Sequence, residues 1–65
     1  MKAEEVLVYI IERFSYYLEE LSELKRNKFI HGEMTAYVET LEILQCWEKS
    51  KTHGLNYPIE DKYKI

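Results

Sequence analysis

Residues 3 to 27 read AEEVLVYIIERFSYYLEELSELKRN, a stretch with no glycine and no proline. Its apolar residues recur at alternating steps of three and four, which is the spacing of a helix contact seam. Ile11 and Leu18 widen that seam to the width expected of a helix in a bundle. Acidic residues open the stretch and basic residues close it, which matches the helix dipole. The sequence therefore predicts a long amphipathic helix, with a seam formed by Leu7, Ile10, Phe14, Tyr17, Leu21 and Leu24.

A second helix is predicted over about residues 33 to 52, after a turn at about residues 28 to 32. Gly32 interrupts the apolar pattern, and Gly54 supplies the stop signal of the second helix. A short connection between two long helices makes an antiparallel hairpin. We therefore expect an all-α fold in which residues 1 to 65 form a single helical-hairpin domain.

The second predicted helix is apolar on two nearly opposite faces when its residues are projected at about 100° per step. One neighbouring helix covers only one such face, and a chain of this length hides only about 60% of its unfolded surface when it folds alone. We therefore expect two hairpins to assemble into a four-helix bundle, or more copies into a larger oligomer. The first face carries Met34, Tyr37, Val38, Leu41 and Leu44, and the second carries Ala36, Ile43, Cys46 and Trp47.

The tail, residues 54 to 65, alternates apolar and polar positions. Pro58 excludes a continuous helix and favours an extended conformation at Tyr57. The aromatic content of the tail is unusual for a disordered segment. We expect an extended clamp on the Trp47 face of its own chain or of a neighbour, and a frayed chain end is the alternative.

Tyr9 and Tyr16 lie seven residues apart on the back of the first helix, among glutamates. Tyrosine is favoured at protein interfaces, and six tyrosines exceed what one small core needs. The other interpretation is that these are single exposed tyrosines, which are common. The predicted interface comprises Tyr9, Tyr16, Leu41, Ile43, Trp47 and Tyr57.

Charge and hydropathy exclude several classes of function. Twelve acidic against nine basic residues give a net charge of −3, which argues against general nucleic-acid binding. The longest apolar run, Val6 to Ile11, is far shorter than a membrane span of about 20 residues, and the acidic start argues against a secretory signal. A lone cysteine fits a reducing compartment. We expect a cytoplasmic protein with no membrane segment.

The basic and aromatic residues around the predicted turn form a candidate ligand site. Cations, rings and a hydroxyl lie there beside the free backbone N–H groups of the second helix. Such a corner can hold a phosphate-bearing nucleotide, with a ring stacked on the base and a cation on the phosphate. The alternative is that the cations end a helix while the aromatic residues pack the closed end of the hairpin. The residues are Lys25, Arg26, Lys28, Phe29, His31, Thr35 and Tyr37.

Two pairs of glutamates, Glu20-x-x-Glu23 and Glu39-x-x-Glu42, lie on the two predicted helices. The arrangement resembles the acidic signature of the all-α nucleotide pyrophosphohydrolases, which implies carboxylates that hold Mg²⁺ against substrate phosphates. The second pair departs from the family pattern, since it ends in Glu42 where the family has aspartate, and the chain is shorter than those enzymes. The other interpretation is a pair of solvated helix faces.

The remaining reactive side chains are His31, His53 and Cys46. They show none of the close spacings of a zinc site, and neither histidine has a carboxylate that the sequence places beside it. We therefore predict a non-enzymatic protein with no catalytic residue, no metal and no cofactor.

Residues 29 to 47 follow the pattern FxxGExTAYVExLExLQxW, and residues 54 to 60 follow GLxYxIE. Over residues 29 to 65 the chain resembles short uncharacterised proteins of Gram-positive bacteria and their phages. The resemblance implies no activity, but it implies a context in which small helical proteins regulate or inhibit host machinery. Some such proteins bind a host protein, and others sequester a nucleotide signal. The first hypothesis is therefore a self-associating interaction protein, and the alternative is a nucleotide-binding protein.

Overall fold

Four helical segments make up the fold in the computed structural model, which describes residues 2 to 64. They are α1 (Ala3–Ser22), α2 (Lys28–Leu44), a 3-10 helix (Ser50–His53) and α3 (Ile59–Lys62). Residues 2 to 64 contain no strand, and the predicted all-α class is confirmed. Met1 and Ile65, the last apolar position of the tail pattern, lie outside the described residues.

Contacts between α1 and α2 run in opposite directions along the chain. Near the start of α1, Glu4 pairs with Lys49 beyond the end of α2, with 2.9 Å between Oε1 and Nζ. Further along α1, the ring of Phe14 lies 4.7 Å from the ring of Tyr37 in α2. The two long helices therefore lie antiparallel to each other.

The turn between the helices comes earlier than the sequence pattern suggests. The prediction of a turn at about 28 to 32 is wrong, because α1 ends at Ser22 and α2 already begins at Lys28. Asn27 sets the new boundary: its backbone is extended, and its side chain accepts a hydrogen bond from the backbone N–H of Ile30 at 2.9 Å. Asparagine is among the preferred N-cap residues, because its side chain satisfies a helix donor that otherwise has no partner.

The second helix is shorter than predicted, since α2 ends at Leu44 rather than near residue 52. The buried hydroxyl of Ser50 donates to the backbone oxygen of Gln45 at 3.1 Å, which holds the chain in a turn after the helix. Gly54 then adopts a φ of 106°, a left-handed conformation that suits glycine and redirects the chain into the tail.

The tail packs on its own chain, although not as an extended clamp. Leu55, Ile59 and Tyr63 are buried; Ile59 is the first residue of α3 and Tyr63 is its C-cap, so the prediction of an extended tail is wrong. These positions are four residues apart, which is a helical spacing. Pro58 occupies the N-cap of α3, where a missing N–H costs nothing, so the proline starts a short helix.

One apolar core joins α1, α2 and the tail. The tail of the same chain closes this core over the hairpin. Some of the apolar surface that the sequence assigns to other copies is already covered within one chain. The buried members are Ile11, Leu18, Met34, Val38, Leu41, Leu55, Ile59 and Tyr63.

Tyr63 anchors the tail to α1. Its hydroxyl donates to Oε1 of Glu19 at 2.8 Å, and Nζ of Lys62 lies 3.5 Å from the same oxygen. The phenol is 4% exposed. Burial raises the pKa of Tyr63 well above its ordinary value, and the hydrogen bond to Glu19 adds to the effect.

The tail should therefore loosen at alkaline pH. Since the pKa of Tyr63 is higher in the folded state than in the unfolded state, its contribution to stability is full below about pH 10 and is lost as the pH rises further. We expect the free energy of unfolding in urea to fall more steeply above pH 10 for the wild type than for Tyr63→Phe, by up to about 1.4 kcal/mol per pH unit. Tyr9→Phe, which removes an exposed hydroxyl outside the core, is the matched control. Equal slopes for wild type and Tyr63→Phe would contradict the assignment.

Candidate interaction surface

The cations of the predicted ligand site are spread along the connection between the helices. Lys25 and Arg26 are exposed in that connection, and Lys28 is the first residue of α2. Nη2 of Arg26 donates to the backbone oxygen of Lys64 at 2.8 Å, so this guanidinium ties the tail to the connection. The side chain of Asn27 already accepts a hydrogen bond from one of the first N–H groups of α2.

The other residues of that site lie on different sides of α2. The ring of Tyr37 packs between α1 and α2, 4.7 Å from Phe14, whereas Phe29 is 75% exposed. The hydroxyl of Thr35 donates to the backbone oxygen of His31 at 2.8 Å and lines a groove beside the tail. The structure therefore does not bring the seven residues together around one ligand.

The two glutamate pairs also remain apart. Within residues 2 to 64, no three His, Cys, Asp or Glu side chains are placed so that they could hold a metal ion. Glu39 and Glu42 instead line a groove of about 560 Å³ with Glu60 and Asp61 of α3. Partial burial raises the pKa of Glu42, and the neighbouring Glu60 carboxylate raises it further. The four-carboxylate arrangement of a pyrophosphohydrolase site is not formed.

Three of the six predicted interface residues are covered by their own chain. Leu41 is 0% exposed and belongs to the core, so its placement at an interface is wrong. Trp47 is half-buried, with its ring stacked parallel on His53 at 5.6 Å. Tyr57 is half-buried against the core, and its backbone oxygen accepts a hydrogen bond from the Gln45 amide at 2.8 Å. Tyr57 is covered because the tail folds back onto the core, and helix periodicity alone does not predict that path.

The other three predicted interface residues are exposed. Tyr9 and Tyr16 on α1 are 49% and 48% exposed, and Ile43 on α2 is 72% exposed. Ala36 and Cys46, which the sequence places on the same face as Ile43, are also exposed.

A row of exposed side chains extends along α1 around the two tyrosines. At about 100° per residue it occupies roughly 100° of the helix circumference, opposite the buried Ile11 and Leu18. We call it the α1 stripe. Sequence reasoning found only two of its members, although the steps of three and four from Tyr9 to Glu20 were a visible signal. The α1 stripe comprises Tyr9, Arg13, Tyr16, Tyr17 and Glu20.

Side chains of the α1 stripe hold one another in place. The guanidinium carbon of Arg13 lies 5.6 Å from the ring centre of Tyr9 and 5.9 Å from that of Tyr17. The rings of Tyr16 and Tyr17 meet edge to face at 6.1 Å. The neighbouring carboxylate of Glu20 raises the pKa of Tyr16 above its ordinary value. Side chains that are already ordered lose less conformational entropy when a partner binds.

Comparison of the chain with protein-family models, curated proteins and solved structures finds no match. Among residues 2 to 64, no helix is both long enough and apolar enough to cross a membrane.

Proposed function

We propose that this chain is a small non-enzymatic protein that associates with itself and acts by occupying the surface of a partner protein. The α1 stripe is the observation that carries the proposal. Single exposed rings are normal on a protein surface, but a continuous row of them beside an arginine has the composition of an interaction site. Tyrosine and arginine are also the residues that most often dominate binding energy.

The proposed mechanism is steric. Tyr9, Tyr16 and Ile43 are exposed and supply apolar anchors, while glutamates beside them form a charged rim. Rim charges contribute to specificity and to the association rate more than to affinity.

We further propose that this is a regulatory protein of the cytoplasm, of the kind that inhibits host machinery on behalf of a phage. The likeness of residues 29 to 65 to short proteins of Gram-positive bacteria and their phages supports the regulatory role. The exposed thiol of Cys46, the single cysteine of the chain, supports a reducing compartment.

Self-association is tested by size-exclusion chromatography with light scattering at micromolar concentration. We expect a mass of at least twice the 7.9 kDa of the chain. The double variant Tyr9→Ser/Tyr16→Ser should weaken association at least about tenfold, because it removes two anchors of the α1 stripe. Phe29→Ser is the matched control, since Phe29 is more exposed but lies outside the α1 stripe. A monomeric wild type would contradict the proposal.

A further inference from the structure

The residues of the α1 stripe complement those of a second α1 stripe that runs in the opposite direction. About a point midway between Tyr16 and Tyr17, Arg13 on one side is as far away as Glu20 on the other. Tyr16 and Tyr17 lie at equal distances on either side of that point. Reversal therefore exchanges an apolar residue with an apolar residue and a cation with an anion.

We propose that a second copy of this chain docks on the α1 stripe through its own α1 stripe, with the two α1 helices antiparallel about a two-fold axis between Tyr16 and Tyr17. The inference rests on the self-association proposed above and assigns the surface, the direction and the register of the contact. In this arrangement Arg13 of each copy faces Glu20 of the other.

Helix geometry places the charged pair at the centre of the contact. At about 100° per residue, Arg13 and Glu20 lie within about 20° of each other on α1. Tyr16 and Tyr17 lie to either side of that line. The contact is isologous, so each unlike-charge pair occurs twice in the dimer.

Charge selects this direction over the reverse one. A parallel pair of α1 helices at equal height would put Arg13 against Arg13 and Glu20 against Glu20, and like charges at a contact cost several kcal/mol. The antiparallel pair forms two arginine–carboxylate contacts, whose paired geometry is specific. A polar pair at the centre of a helix contact also fixes its register.

Charge also selects α1 over α2 as the self-association surface. The exposed apolar residues of α2, Phe29 and Ile43, are flanked by Glu33 and Glu39 on the same side of the helix. A second copy placed on that side brings carboxylates against carboxylates. The α1 stripe instead carries both signs, and Arg13 is already held between the rings of two tyrosines.

A charge-swap series tests the arrangement by light scattering or sedimentation. Arg13→Glu and Glu20→Arg should each weaken the dimer at least about tenfold, because each single change opposes like charges. The double variant Arg13→Glu/Glu20→Arg should return to within about threefold of the wild type, because the pairs are restored with their signs exchanged. Glu48→Arg, an equal charge change at an exposed position beyond the end of α2, is the matched control and should change the dissociation constant less than about threefold.

Outcomes of the series separate this inference from the proposed function. A wild-type dimer that the single changes do not weaken, or that the double change does not restore, overturns the α1 arrangement and leaves self-association standing. A monomeric wild type overturns both. Circular dichroism of each variant confirms that the helices are intact.

Cross-linking gives a second readout that does not depend on charge repulsion. In a Cys46→Ser background, Arg13→Cys and Glu20→Cys proteins are purified separately and oxidised alone or mixed. We expect a disulfide-linked dimer in the mixture only, because identical positions of the two copies lie seven residues, or about 10 Å, apart along the helix. A disulfide needs Cα atoms within about 7 Å. Cross-linking of each protein alone that does not increase on mixing overturns the antiparallel arrangement.

Discussion

Leu41→Ala is expected to lower the free energy of unfolding by about 3 kcal/mol, whereas Ile43→Ala should change it by less than about 0.5 kcal/mol. The two positions lie on the same helix two residues apart, but Leu41 is 0% exposed and Ile43 is 72% exposed. Truncation of Leu41 leaves a cavity between the helices that the backbone cannot fully close. Since a 65-residue domain is stable by only about 3 to 10 kcal/mol, this one change removes a large part of the total.

Urea unfolding of both variants at the same protein concentration, followed by circular dichroism, measures the difference. The comparison also decides between two roles for Leu41. A variant that unfolds like the wild type but no longer self-associates would place Leu41 at an interface, as the sequence pattern suggested. A comparable loss at Ile43 would show that this face of α2 is covered in the folded protein.

The triple variant Leu55→Ser/Ile59→Ser/Tyr63→Ser is expected to abolish cooperative folding. Burial of each apolar side chain contributes about 1.5 to 3 kcal/mol, so the three together contribute roughly as much as the total free energy of unfolding. All three are buried at the junction of α1, α2 and the tail. Loss of the α-helical signal at room temperature, or a thermal transition that is broad and non-cooperative, is the expected observation.

The matched control for this triple variant places each serine one residue further along the chain. Asn56→Ser/Glu60→Ser/Lys64→Ser makes the same number of changes in the same segment at exposed positions. This variant should keep a cooperative transition, and its stability should lie within about 1 kcal/mol of the wild type. A triple core variant that melts as cooperatively as this control would show that α1 and α2 fold without the tail.

Local patterns predicted the two helices but not where they meet. The apolar seam and the lack of glycine and proline place the start of α1 correctly, since periodicity over twenty residues is a strong signal, but they extend the helix to Asn27, five residues beyond its end at Ser22. Gly32 favours a turn at its own position because glycine breaks helices, whereas the cap at Asn27 decides the boundary. An Asn ahead of an apolar run is a helix start signal, so this error could have been avoided from the sequence.

The tail was harder to predict because two spacings compete in it. Apolar residues at 55, 57 and 59 alternate as in a strand, while Leu55, Ile59 and Tyr63 recur every four residues as in a helix. Which pattern forms depends on the surface that α1 and α2 offer, and that surface is set by contacts distant in sequence. The same dependence explains the interface residues: Tyr9 and Tyr16 follow from helix periodicity, but the cover at Tyr57 follows only from the path of the tail.

We expect α3 to be the first segment to unfold, because only its contacts with the core hold it in place. A helix of four residues is not stable in isolation, because nucleating a helix costs more free energy than its few backbone hydrogen bonds contribute. The segment persists only while Ile59 and Tyr63 remain docked, so release of the tail uncovers the hydrophobic interior. We therefore expect amide protons of α3 to exchange with solvent sooner than those of the long helices, and proteases to gain their first access there.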